Sequence, residues 1–75
     1  ETLVSRSQAK RILNRVEKFR IVILDFEGVD TIGQGFADEV FRVFASQHEE
    51  IELIPVGATT RVQQMINRVH ADRFE

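Results

Sequence analysis

Cysteine is absent from the 75 residues, so disulfides and thiolate metal sites are excluded and nothing points to an oxidising compartment. Proline occurs once, at Pro55, and glycine only four times, so neither a proline-rich linker nor a low-complexity segment divides the chain. No apolar run approaches the ~20 residues of a membrane span, and no signal-peptide pattern is present. These absences lead us to expect a cytoplasmic protein with no membrane partner.

The remaining composition, 43% hydrophobic and 29% charged, is that of a globular chain. Its length fits one domain, residues 1–75. A chain this small buries only roughly 60% of its unfolded surface, so a thin core is expected. The sequence opens on Glu1 rather than Met, which fits a piece of a longer protein or a domain lacking its opening strands. Charge is unevenly spread. Residues 1–20 carry +4 and the remainder −6, for a net −2. That polarity can steer partners or support head-to-tail self-association, but a net charge of this sign does not itself suggest nucleic acid.

Hydrophobic spacing sets the expected elements. Thr2-Leu3-Val4 reads as a strand end. Ser5 and Gln8 have capping-box spacing, and Ala9, Ile12, Leu13, Val16 and Phe19 follow as one helical stripe, with Arg11, Arg15 and Lys18 opposite. Ile21-Val22-Ile23-Leu24 has no alternation, as in a strand buried on both faces of a parallel sheet. A loop with three glycines leads to a second helix over 36–47, burying Phe36, Ala37, Val40, Phe41 and Phe44. Residues 51–56 read as a strand whose Pro55 places it near an edge. Thr60 and Gln63 suggest a second capping box, opening a helix that turns Val62, Met65, Ile66 and Val69 inward; His70 to Glu75 reads as a frayed tail. The order is (β)αβαβα, an α/β fold with a short, mainly parallel sheet and three helices. So narrow a sheet leaves an edge open to another molecule.

Leu24-Asp25-Phe26-Glu27-Gly28-Val29, a glycine-containing loop and an amphipathic helix resemble the STAS domain, found in sulphate transporters and anti-sigma-factor antagonists. Ser5-Arg6-Ser7-Gln8-Ala9-Lys10 and the run from Ile32 to Phe44 (Ile-Gly-Gln-Gly-Phe-Ala-Asp-Glu-Val-Phe-Arg-Val-Phe) are more similar to a STAS-like bacterial family of unknown function. The resemblance covers nearly the whole chain, without the opening strands of a full STAS domain. In anti-sigma antagonists the loop before the second helix carries Asp-Ser-Ser/Thr-Gly, whose hydroxyl is phosphorylated by a partner kinase. Here Gly33-Gln34-Gly35-Phe36 stands over that pattern, and Thr31 lies three residues upstream of the matched serine. The resemblance thus implies a STAS-like domain in which the phosphorylation switch is lost or replaced by constitutive binding.

Other chemistries fit poorly. Gly28 and Gly33 share the spacing of a phosphate-binding loop, but Gln34 and Gly35 stand where Lys and Ser/Thr are needed, and Asp38 replaces the third glycine of a dinucleotide fingerprint. Asp25, Glu27, Asp30, Asp38 and Glu39 follow no cation-loop spacing. His48 and His70 belong to no nucleophile or metal signature. No catalytic residue, metal site or cofactor is expected. The expected function is that of a non-catalytic protein-interaction module, with Asp30, Thr31, Gly33, Gln34, Gly35, Asp38, Glu39 and Arg42 as its partner surface. By the same resemblance the partner is a histidine-kinase-like ATPase domain, in the same chain or another. Self-association into a homo-oligomer is one alternative. Nucleic-acid contact through Arg11, Arg15 and Lys18 is another, although a solvated helix face is the plainer reading of that stripe.

Overall fold

The capping box of the first helix shows how these residues become structure. In the computed structural model, which describes residues 3–73, α1 spans Arg6–Leu13. Ser5 Oγ accepts from the Gln8 N–H at 3.2 Å while Gln8 Oε1 accepts from the Ser5 N–H at 3.0 Å, so donors left over at the helix start find partners. The helix stops earlier than its stripe predicts. Beyond Leu13, Arg15, Val16 and Phe19 donate to the carbonyls of Ile12, Leu13 and Val16, three residues back rather than four. This tightening rotates later residues off the helical stripe. Ala9 and Leu13 are buried, whereas Ile12 and Phe19 are exposed, correcting the expectation that both turn inward.

β1 (Ile21–Asp25) and β2 (Glu52–Val56) form a two-stranded parallel sheet pairing Ile21 with Glu52 and Asp25 with Val56. The expectation that β1 is buried on both faces is also corrected. Val22 is buried and Leu24 half-buried, but Ile21 and Ile23 are 61% and 63% exposed. The core explains the alternation: Val22 packs in one cluster with Ala9 and Leu13 of α1 and with the buried faces of the two later helices, so helices cover one face of the sheet. Among the described residues nothing covers the other. Leu3 makes a single parallel bridge to Ile32, which is what remains of the expected opening strand; Thr2 lies outside the described residues.

The second helix, α2 (residues 34–47), runs through Gln34–Asp38, a π-helical stretch Glu39–Phe44 and Ala45–Gln47. It buries Phe36, Ala37, Val40, Phe41 and Phe44, as expected. The third, α3 (Thr60–Arg73), buries Val62, Ile66 and Val69. Its cap is one residue earlier than its sequence spacing suggests. Thr59 Oγ1 accepts from the Val62 N–H at 3.2 Å and donates to the Asp30 carbonyl at 2.7 Å, so the hydroxyl that caps α3 also ties it to the loop after β1. Residues 70–73 continue the helix instead of fraying, with His70 edge-on to Phe41 at 5.8 Å. Phe74 lies outside the described residues.

Candidate functional site

The loop between β1 and α2 is built from backbone contacts. Asp25 Oδ1 accepts from the Glu27 N–H at 2.9 Å, and the Val29 N–H donates to the Phe26 carbonyl at 2.9 Å, turning the chain at the end of β1. Across from it, Gly57 has φ of 67°, and a Cβ there would sit 3.0 Å from Glu27 Oε2 and 3.1 Å from the Glu27 nitrogen. Glycine at 57 therefore meets both a left-handed backbone and a close neighbour. Together with the Thr59–Asp30 bond, this fastens the loop at its strand end.

Its helix end is fastened by residues 3–6. The Gly33 N–H donates to the Leu3 carbonyl at 2.8 Å, and a Cβ on Gly33 would lie 2.6 Å from the Val4 oxygen and 2.7 Å from Val4 Cα. The glycine is required because another stretch of backbone lies against it. The Val4 carbonyl oxygen carries partial negative charge close to the start of α2, which opposes an anion there. Gly33 thus serves packing, while Gly28, with φ of 83° and nothing within 4 Å of an added Cβ, serves the turn itself.

The residues singled out from the sequence separate into two groups. Asp30, Thr31 and Gln34 are exposed, and Gly33 and Gly35 are partly covered by residues 4–6. Asp38 and Glu39 are buried at 7% exposure each and are engaged in ion pairs. Arg6 Nη1 donates to Asp38 Oδ2 at 2.6 Å and lies 3.5 Å from Glu39 Oε1. Arg42 Nη2 donates to the same Asp38 oxygen at 2.8 Å, while its Nε bonds Oδ1. The hydrogen bond from Arg42, seconded by Arg6, holds the Asp38 carboxyl down at about 2 despite its burial. This cluster pins the first turn of α1 to α2. The Asp38–Arg42 half was legible as an i, i+4 pair; Arg6 is 32 residues from Asp38, and no sequence spacing announces it.

Arg11, Arg15 and Lys18 are all exposed. Arg11 and Arg15, with Ile12 and Val16, line an open depression of about 390 Å³, while Arg15 and Lys18 both fall beyond the end of α1 at Leu13. His48 stacks on Phe44 at 4.4 Å, and with His70 on Phe41 both imidazoles are occupied in packing. Among the described residues no three His, Asp or Glu side chains gather as a metal site, and no helix is long and apolar enough to cross a membrane.

Residues 8–63 match the family model described as a STAS-like domain of unknown function (DUF4325). No curated protein and no solved structure matches the chain.

Proposed function

The chain belongs to the STAS-like domain family, and from that membership we propose that it is a non-catalytic regulatory module that works by binding a signalling protein in the bacterial cytoplasm. The partner class that the resemblance implies is a histidine-kinase-like ATPase domain, in the same chain or another. One observation carries this reading: Thr31 stands exposed on a loop fastened at both ends, by Leu3 and Val4 on one side and Thr59 on the other, and Gln34 stands exposed at the start of the α2 helix that follows it. A loop already held in shape loses little conformational entropy on docking. The first turn of α2 (Gln34, Gly35, Phe36) offers no hydroxyl to phosphorylate, which favours constitutive binding over a switch. The contact surface is accordingly Asp30, Thr31 and Gln34, with Asp38 and Glu39 supporting α2 from within.

A quantitative pull-down from host lysate tests this, comparing wild type with Gln34→Arg. The expected result is a protein retained by wild type and depleted about tenfold or more with the variant, as for a bulky charge placed in an interface centre. Far-UV circular dichroism should be unchanged. No enrichment over control removes the reading, and equal retention moves the surface elsewhere. A second reading, self-association, is favoured by the uncovered sheet face bearing Ile21 and Ile23.

A further inference from the structure

The first two helices end at one hollow. Leu13 and Asn14 at the end of α1 and Gln47 and His48 at the end of α2 line the same space of about 240 Å³. Helix C-termini carry partial negative charge, so both elements turn that charge toward it. All of its walls come from residues between Lys10 and His48. At its floor is Glu39, 7% exposed. One carboxylate oxygen, Oε1, lies 3.5 Å from Arg6 Nη1, but that nitrogen already donates to Asp38 Oδ2 at 2.6 Å. The other oxygen meets no donor among the described residues. No enclosed side-chain oxygen among them lacks a partner, so this one is reached from outside, through the hollow that Glu39 lines. A buried carboxylate costs free energy until donors satisfy it, and this one keeps an oxygen open.

The π-helical stretch Glu39–Phe44 shapes the floor. Bonding five residues apart stacks Glu39 and Phe44 on one face, whereas α-helical geometry would turn them about 140° apart. A carboxylate and an aromatic ring therefore meet the same hollow, and His48 stacks on Phe44 at 4.4 Å as the next wall. Lys10 and Glu17 stand at the rim. With Glu39 they set one cation against two carboxylates, which favours a positively charged occupant. A bare metal ion does not suit the site, because among the described residues no three carboxylate or imidazole groups come close enough to hold one. The volume lies below the range of about 300–1,000 Å³ usual for drug-sized ligands, so the occupant is small. We propose that this hollow binds a primary ammonium group, with its N–H donors on the open Glu39 oxygen and its carbon stem against Leu13 and Phe44. A small free amine and a lysine side chain of a partner both supply that chemistry.

The test titrates the full chain, isotopically labelled and at neutral pH, with butylamine and in parallel with butanoate and butanol. The amide signals of Asn14, Gln47 and His48 are the readout. Butylamine should shift them to a saturable end point, and the anion and the alcohol should not. Glu39→Gln keeps the shape, leaves Arg6 with Asp38, and should weaken binding about tenfold or more. Without amine, the same variant should unfold at the wild-type urea midpoint or above it, since it removes a buried charge that is only partly paired; a merely structural carboxylate would lower the midpoint. Lys10→Gln, on the exposed rim, removes the competing cation and should tighten binding about two- to fivefold; it decides the question should Glu39→Gln misfold. A blocked lysine peptide that binds more tightly than butylamine makes a partner's side chain the source, and equal or weaker binding makes it a free amine. The proposal is overturned by the absence of saturable shifts, by an equal response to butanoate or butanol, by butylamine binding that survives Glu39→Gln undiminished, or by weaker binding to Lys10→Gln. The hollow lies at the opposite end of α2 from Gln34, so loss of lysate capture and loss of amine binding are read separately.

Discussion

Asp38 is the residue on which two cations from different elements converge. Its carboxyl, normally near 3.8, is lowered to about 2, first by the Arg42 hydrogen bond and then by Arg6. A folded-state value below the unfolded one means that the unfolded chain takes up the proton more readily as pH falls. The associated stability is therefore fully present above about 3.8 and is lost as pH falls through about 2. Asp38→Asn keeps the shape and removes the charge. Because Arg6 and Arg42 are each about half exposed, solvent screening moderates the effect, and we expect a loss on the order of 1–2 kcal/mol at neutral pH. Urea unfolding across pH should show the gap between variant and wild type closing between pH 4 and pH 2. A gap of constant size would mean that the loss comes from altered packing and not from the Asp38 charge. The same cluster shows what sequence spacing reveals at this scale: Asp38 and Arg42 share a helix face and announce themselves, but Arg6 arrives from a different element, and only the fold brings it there.

At the scale of elements, burial decides what each stripe contributes. Ile66 of α3 is 1% exposed and Ile23 of β1 is 63% exposed, although both are isoleucines in regular structure. Truncating Ile66 to Ala should cost about 2–4 kcal/mol, the transfer and cavity terms together, a large share of the stability of so small a domain. Ile23→Thr keeps the β-branch and should cost less than about 0.5 kcal/mol. Denaturant midpoints of the two variants check the contrast, and a similar loss for both would place a covering layer over Ile23. The helices were legible because their patterns are long: the Phe36-to-Phe44 stripe and the Val62-to-Val69 stripe each recur over two turns or more, and the Ser5–Gln8 cap is local chemistry. β1 differs from its expectation for the opposite reason. Its unbroken apolar run is what a doubly covered strand shows, and nothing within five residues reports that helices lie on one face alone. The early end of α1 was hidden likewise, since Val16 and Phe19 keep the helical spacing while the backbone tightens beneath them. In the candidate site, Gly33 was visible as a glycine needing a reason; that the reason is Val4 rather than a phosphate depends on a contact between residues distant in sequence.

For the molecule as a whole, the unresolved balance lies on the open face of the sheet. Register places Ile21 beside Glu52 and Ile23 beside Ile54, and Phe19 and Val56 are also exposed, at 53% and 39%. Together Ile21, Ile23, Ile54 and Val56 form an apolar surface on the order of a few hundred Å², the size at which monomers commonly carry an interaction site. Among the described residues nothing covers this surface, because the three helices lie on the opposite face. The double variant Ile21→Thr with Ile23→Thr tests the face. Light scattering of wild type should rise with concentration, and the variant should remain monomeric with its unfolding midpoint nearly unchanged. A wild type that stays strictly monomeric at high concentration removes self-association as a reading. An oligomer that survives both substitutions keeps it but moves the contact off the sheet.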